Sequence, residues 1–187
     1  AKLKMDVFHW HLSDYQGFRV ESKVFPKLHE MGSQGNYYTQ EDIKEVVDYA
    51  SERGIRVIPE FDVPGHATSW LTGYPELGSA KGPYALDTNA LGVFRAVLDP
   101  TNPSLYSFLD EFIAEMITLF PDPYFHIGGD EVMAEDWENN EAIQKYMEVN
   151  NISDSHGLQA HFNIKLQKIV AKHNKIMLGW DEIQHPD

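Results

Sequence analysis

Hydrophobic and polar positions along the chain follow two periods in alternation. Four short runs, residues 5–12, 56–63, 124–131 and 175–183, are rich in β-branched and aromatic side chains and end in polar clusters, which predicts β-strands. Between them the apolar spacing becomes helical. Thr39 followed by Asp42 resembles a capping box, and Ile43, Val46, Val47 and Ala50 recur at helical spacing until Gly54. Pro103 suits a first helical turn behind Thr101 and Asn102. From there Leu105, Phe108, Leu109, Phe112, Ile113, Met116 and Ile117 form a broad stripe. Leu158, Phe162, Leu166, Ile169 and Val170 repeat the pattern before the fourth strand, and a shorter helix is predicted over residues 141–149.

The order β-α-β-α-β-α-β implies parallel strands joined by crossover helices. A doubly wound sheet and a (β/α)₈ barrel both satisfy it, and the polar residues decide between them. Chemistry-bearing side chains close every strand: His9, His11 and Asp14; Glu60, Asp62 and His66; His126, Asp130 and Glu131; Trp180, Asp181 and Glu182. A barrel gathers its site from the C-terminal ends of successive strands, whereas an open sheet concentrates it at one switch point. No glycine-rich phosphate loop follows any strand. The predicted fold is α/β, a partial (β/α)₈ TIM barrel. Four strands in 187 residues amount to about half of a barrel whose usual size is roughly 250 residues. Residues 1–187 read as one partial barrel domain, without repeats or linkers. Residues 73–102, rich in Gly, Pro, Asn and Asp, are predicted as a long loop, either a surface excursion or a functional segment.

Composition narrows the partners. Fifteen Lys and Arg against 29 Asp and Glu give a formal charge of −14, which opposes a phosphate backbone and argues against nucleic acid. No apolar run approaches the ~20 residues of a membrane span, so no membrane partner is expected. The chain has no cysteine, which excludes disulfides, thiolate metal ligands and a cysteine nucleophile. It opens at Ala1 and a strand-like run begins almost at once, so we expect a piece of a longer protein and read no localisation from it.

His126-Ile127-Gly128-Gly129-Asp130-Glu131 is the most informative string. An apolar strand ending in adjacent carboxylates places like charges at its tip, where repulsion raises at least one pKa. A carboxylic acid held protonated near neutral pH is what a glycosidase needs to protonate a leaving oxygen. The glycines clear side chains where a substrate would approach the backbone. Neighbours in an ideal strand point to opposite faces, so both acids reach one pocket only if the strand ends there. Otherwise the pair is a solvated acidic loop. His9 and His11 face one side, about 7 Å apart along the strand, which suits a metal site or a polar barrel mouth. Metal ligands here would be His, Asp and Glu. A carboxylate facing an imidazole fixes its tautomer and raises its basicity. Asp14, His66 and Glu131 could form such a relay; alternatively His66, after the Pro64-Gly65 turn, is a turn histidine bonded to backbone. Trp180 at the fourth tip either stacks on the apolar face of a sugar or packs into the core. Trp70 and Trp137 read as loop packing or wall residues.

The strings His9-Trp10-His11-Leu12-Ser13-Asp14, Glu60-Phe61-Asp62-Val63-Pro64-Gly65-His66, His126-Ile127-Gly128-Gly129-Asp130-Glu131 and Gly179-Trp180-Asp181-Glu182 resemble the β-N-acetylhexosaminidases of glycoside hydrolase family 20. Tyr37-Tyr38-Thr39-Gln40 and Leu98-Asp99-Pro100-Thr101-Asn102 are similar too, so the likeness runs over nearly the whole chain. The resemblance implies a (β/α)₈ catalytic domain of which this chain supplies strands two to five. It also implies exo-acting removal of terminal β-linked N-acetylglucosamine or N-acetylgalactosamine with retention of configuration. In that family the substrate's 2-acetamido group is the nucleophile, an exception to the two-carboxylate scheme. Carried over by motif, Glu131 is the expected general acid, Asp130 holds the acetamido N–H, and Asp14 and His66 tune the acid. Trp180 is expected as a wall of the acetamido pocket, with His126, Asp62 and His11 as further substrate-binding residues. No cofactor or metal is expected, and the implied partners are oligosaccharides or glycoconjugates carrying N-acetylhexosamine.

Two departures qualify the resemblance. Tyr15 stands where family members often carry a second Asp, which leaves Asp14 as the expected partner of the histidine. The family's first-strand Arg and its later-strand Tyr, Trp and acidic residues have no counterpart here, so the isolated chain is expected to bind sugar poorly or to be inactive. Two other readings are a metal-dependent hydrolase on His9 and His11, which predicts bound zinc, and a non-catalytic glycan-binding protein. The second would be favoured by loss of Asp130 or Glu131, and both are present.

Overall fold

A computed structural model describes residue 2, residues 4–86 and residues 96–184. Five strands, β1 (Val7–Asp14), β2 (Gly17–Phe18), β3 (Arg56–Phe61), β4 (Tyr124–His126) and β5 (Ile176–Leu178), lie in the spatial order β2-β1-β3-β4-β5. β2 turns back antiparallel on β1, and every other pairing is parallel. Apart from that hairpin, successive parallel strands are neighbours in space, with no reversal of order. An arc of a barrel has this arrangement, whereas a doubly wound sheet reverses at its switch point. The fold is therefore α/β, a segment of the barrel class. Main-chain bonds carry the ladder past the strand ends: Val63 N–H donates to Ile127 O, Ile127 N–H to Leu178 O, and Trp180 N–H to Gly128 O.

Seven helices are described, α1 (Lys27–Gly32), α2 (Gln40–Ser51), α3 (Thr68–Gly73), α4 (Pro103–Met116), α5 (Glu135–Glu138), α6 (Glu141–Val149) and α7 (Ser155–Lys172). The long ones begin at caps. Thr39 Oγ1 accepts the Asp42 N–H at 3.1 Å while Asp42 Oδ2 accepts the Thr39 N–H at 2.8 Å, which closes the capping box of α2. Asn102 Oδ1 accepts the Ser104 N–H ahead of α4, and Asp154 Oδ1 the Gly157 N–H in α7. Along β1 the period of two buries Trp10 and Leu12 and leaves His9 and His11 exposed. One core then joins Leu12, Phe61 and Phe125 of the sheet region to Ile43 of α2, Phe112 of α4 and Phe162 of α7. Each such side chain contributes about 1.5–3 kcal/mol when fully buried. A smaller cluster gathers Val97, Trp137, Ile143, Met147 and Leu158. Among the described residues no helix is long and apolar enough to cross a membrane.

Where the structure departs from the periodicity, the causes are local. β4 ends at His126 and not at residue 131, because Gly128 (φ +66°), Gly129 (φ +90°) and Glu131 (φ +51°) adopt left-handed backbone. β5 ends at Leu178, and Asp181–Ile183 form a short 3₁₀ turn. β2, α1, α3 and α5 have two to six residues, too few to display a period. Trp70, expected in a loop or wall, lies on α3 inside the main core, and Trp137 anchors the smaller one. Within the predicted loop, Pro75–Leu77 make a 3₁₀ turn and the Ser79 N–H donates to Val97 O, so its two flanks are tied together. Residues 87–95 of that loop lie outside the described residues.

Candidate active site

Strand register builds the site. His11 lies beside Glu60 and Glu60 beside His126, so three adjacent parallel strands set one row of polar side chains. The Glu60 side chain is 1% exposed, and a carboxylate so buried needs partners for its charge. Its Oε2 lies 2.6 Å from His9 Nε2 and 3.1 Å from His11 Nδ1. Its Oε1 accepts the Trp180 indole N–H at 3.0 Å and stands 3.7 Å from His126 Nδ1. Burial alone would raise the Glu60 pKa. The hydrogen bond from His11 and the neighbouring imidazoles outweigh burial and hold the carboxyl below its usual range.

His11 is shared between two carboxylates, since its Nε2 also lies 3.1 Å from Asp14 Oδ2. Hydrogen bonds to Asp14 and Glu60 push its pKa up to about 10, so the ring is an imidazolium at neutral pH. The other oxygen of Asp14 accepts the Tyr15 N–H at 2.6 Å and meets His66 Nδ1 at 2.9 Å. Against the effect of burial, the bonds from His11 and His66 keep the Asp14 carboxyl well below the usual carboxylate range. His66 Nε2 then faces both acids, 3.6 Å from Glu131 Oε2 and 3.9 Å from Asp130 Oδ2. Burial works against charge on His66, but the bond to Asp14 and the carboxylates around it push the pKa up to about 9.

The acids reach one side because the chain turns sharply over Asp62. Gly128 is required there: at φ +66°, an added Cβ would collide with the Asp62 carboxyl and lie 2.9 Å from Asp62 Cα. His66 (φ +49°) and Glu131 (φ +51°) hold the same left-handed region without being glycine, a strain that gathers at functional sites. Asp62 Oδ1 accepts the Gly129 N–H at 3.0 Å, and the Asp62 N–H donates to Ser13 Oγ at 3.0 Å. Ser13 Oγ also accepts the Trp70 indole N–H at 3.2 Å. Burial raises the Asp62 pKa to about 8. His126 Nδ1 accepts the Gly128 N–H at 3.0 Å, and burial depresses the pKa of this ring.

Asp14, His66, Asp130 and Glu131 thus form one cluster, and His11 joins it through Asp14. Trp180, 42% exposed, stands at the far end of the row with its ring 5.0 Å from that of His126 and 5.6 Å from that of His9. Asp62 and His126 lie beneath the turn and bond to its main chain. Asp130 Oδ1 is buried with no hydrogen-bond partner among the described residues, which suits it to accept a ligand N–H. Sequence reasoning named Glu60 among the side chains at the second strand tip without assigning it a role, and did not single out Ser13. A signal for Glu60 exists, namely an ionisable residue inside the otherwise apolar strand Arg56–Phe61, two positions before Asp62.

Among the described residues, two groups bring possible metal-ligand atoms within 4.8 Å of one another: His9, Glu60 and His126, and Asp62, His66 and Asp130. Much of their donor capacity is already engaged, by the Gly128 N–H on His126, the Gly129 N–H on Asp62 and the His9–Glu60 bond. His9 and His11, the pair whose spacing suits a metal, both turn a nitrogen toward the same Glu60 oxygen and not toward a shared open position.

Residues 1–187 match the glycosyl hydrolase family 20 catalytic domain. The chain is 45% identical over 184 residues to β-hexosaminidase subunit A2 of Dictyostelium discoideum, covering 97% of this chain and 32% of that protein. It is 50% identical to a chitobiase of known structure from Flavobacterium johnsoniae, with a TM-score of 0.94 over 99% of this chain and 28% of that one. It is 38% identical to an exo β-N-acetylglucosaminidase from Vibrio harveyi solved with N-acetylglucosamine, with a TM-score of 0.84 over 97% of this chain and 31% of that one. The chain therefore spans between 28% and 32% of the length of these three.

Proposed function

The chain belongs to glycosyl hydrolase family 20, and on that premise we propose that its strand-tip cluster serves retaining, exo-acting hydrolysis of terminal β-linked N-acetylglucosamine or N-acetylgalactosamine. The observation that carries this reading is the position of His66 Nε2, 3.6 Å from Glu131 and 3.9 Å from Asp130 with Asp14 behind the ring. Two adjacent carboxyl groups must divide their tasks, one holding a proton while the other holds a charge. One imidazole facing both carboxyl groups, with Asp14 behind it, ties the two tasks to a single orienting side chain.

In this reading Asp130 accepts the N–H of the substrate's 2-acetamido group with its free Oδ1 and turns the acetamido oxygen toward the anomeric carbon. That oxygen attacks as Glu131 gives its proton to the glycosidic oxygen, so the leaving alcohol departs neutral and an oxazolinium ring closes. Glu131, now a carboxylate, takes a proton from water as the water opens the ring, which restores the original configuration. Trp180 presents an aromatic face to the acetamido group. Asp62 and His126 hold the Gly128–Gly129 turn in place, and Asp14 keeps His66 oriented and favours its charged form.

The test uses the full-length polypeptide that contains this chain and a chromogenic N-acetyl-β-glucosaminide. Turnover that is indifferent to chelator, and that falls by on the order of 10²-fold or more in Asp130→Asn, is the expected outcome. Loss of activity on chelation would favour a metal site at His9 and His11. An intact protein without turnover would favour a glycan-binding role.

A further inference from the structure

Glu60 touches neither acid, yet its surroundings specify a carboxylate. Both oxygens are used, and in different directions: Oε1 receives the Trp180 indole N–H at 3.0 Å, while Oε2 receives His9 Nε2 at 2.6 Å and His11 Nδ1 at 3.1 Å. Glutamine of the same shape offers one accepting oxygen and one NH₂. Turned with its oxygen toward the histidines, the amide sets an N–H against the indole N–H; turned the other way, it meets imidazole nitrogens that must give up a proton to accept, and in neither orientation does it carry a charge. An apolar side chain would leave all three donors without this partner. Among the described residues, the Glu60 bond is the hydrogen bond made by the Trp180 ring. The Trp180 main chain is held by the bond to Gly128 O, and the partly exposed indole lies edge-on to the His126 ring at 5.0 Å and tilted 32° to the His9 ring at 5.6 Å.

We infer that Glu60 is a positioning residue that fixes the plane of the Trp180 indole and couples this wall, through His11, to the Asp14–His66 pair beside the acids. Four contacts make the path: Trp180 to Glu60 at 3.0 Å, Glu60 to His11 at 3.1 Å, His11 to Asp14 at 3.1 Å and Asp14 to His66 at 2.9 Å. The inference rests on the reading of Trp180 as a wall of the acetamido site. A wall that swings displaces the acetamido oxygen from its line to the anomeric carbon, and a misplacement of about 1 Å costs on the order of 10²-fold in rate.

The experiment is a double-mutant cycle in the full-length polypeptide with Glu60→Gln, Trp180→Phe and the pair together. Two quantities are read: kcat/KM on a chromogenic N-acetyl-β-glucosaminide, and inhibition by a thiazoline fused to N-acetylglucosamine, which mimics the cyclised acetamido group. A hydrogen bond to a charged group corresponds to a loss of about 10- to 100-fold when broken. Each single variant is expected to lose that much in thiazoline affinity. The double variant is expected to lose little more than the worse single one, because both remove one bond. Losses that multiply, or wild-type thiazoline affinity in Glu60→Gln, would overturn the inference, since a merely structural role lowers melting temperature without altering affinity for the acetamido mimic. Should Glu60→Gln not fold, Glu60→Asp keeps the charge but retracts the oxygens by one methylene, so it cannot span both sets of donors. It must then show the same loss, and full affinity in Glu60→Asp would overturn the inference equally. A wild type without any turnover would remove the proposed function and this inference together. An active wild type with an unaffected Glu60→Gln would remove the inference alone.

Discussion

Replacing Gly128 by alanine asks whether the packing of one turn on Asp62 sets the geometry of both acids. Two costs add. At φ +66° an alanine meets the left-handed penalty of roughly 1–2 kcal/mol. Its methyl group also collides with the Asp62 carboxyl and comes within 2.9 Å of Asp62 Cα, a backbone atom that no rotamer change can move. Overpacking of this kind costs typically about 1–3 kcal/mol, so the sum is about 2–5 kcal/mol. Asp62 cannot step aside freely, because its carboxyl holds the Gly129 N–H and its own N–H is held by Ser13. The strain must pass into Gly129, Asp130 and Glu131. Gly35 provides the control: its φ is +79°, but an added Cβ would have nothing within 4 Å. It carries the conformational cost without the collision. The assay is kcat/KM on a chromogenic N-acetyl-β-glucosaminide with melting temperatures for both variants in the full-length polypeptide. Gly128→Ala is expected to lose on the order of 10²-fold or more. Gly35→Ala should stay within about twofold of wild type, as a surface change away from the site. Wild-type kcat/KM in Gly128→Ala would refute the reasoning.

Ser13→Ala removes the acceptor for two buried donors, the Asp62 N–H and the Trp70 indole. A destabilisation of about 2 kcal/mol or more is expected, read as a shift in denaturation midpoint, and an unshifted midpoint would argue against this bond pair. Above the acid range in which Asp14 and Glu60 ionise, stability should also fall with rising pH. His66 has a folded pKa of about 9 against an ordinary 6.5, so its contribution is complete below 6.5 and is lost as pH rises through 9. Asp62, raised by burial from 3.8 to about 8, acts in the same direction, because burial favours its neutral form and ionisation is resisted up to that pH. Asp62→Asn keeps an oxygen for the Gly129 N–H and removes the titration. Its melting temperature should depend less on pH up to about 8 than that of the wild type, and an identical pH dependence would contradict the assignment.

How much of this was legible in the sequence depends on how local each feature is. α2, α4, α6 and α7 are long enough for apolar spacing and caps such as Thr39 and Asn102 to announce them, whereas the six-residue α1 and α3 are placed by packing. The acids are written side by side as Asp130-Glu131, Asp14 closes β1 and His66 follows β3 after the Pro64-Gly65 turn, so motif and chemistry could be read together. That both acids reach one side depended on β4 ending early. The strand stops ahead of Gly128 and Gly129, whose left-handed backbone is required where Gly128 lies against Asp62, and the turn then carries Glu131, a residue type with no preference for that conformation, into the same region. Glu60 could be named at its strand tip, but its role could not be read. A carboxylate in an apolar strand gains its meaning from register with His11 on one neighbour and His126 on the other, and register is a property of the folded sheet.

The central claim, that Glu131 is the acid that protonates the departing oxygen, is tested most directly by varying the leaving group. The quantity is kcat/KM for wild type and Glu131→Gln on two N-acetyl-β-glucosaminides, one bearing 4-methoxyphenol, which needs the proton, and one bearing 2,4-dinitrophenol, which leaves as an anion. General acid catalysis contributes typically about 10² to 10⁴ in rate. A loss in that range on the methoxyphenyl substrate, with less than about tenfold on the dinitrophenyl one, is the predicted result. Equal losses on both substrates would contradict it, because a residue that only shapes the site does not distinguish one leaving group from the other.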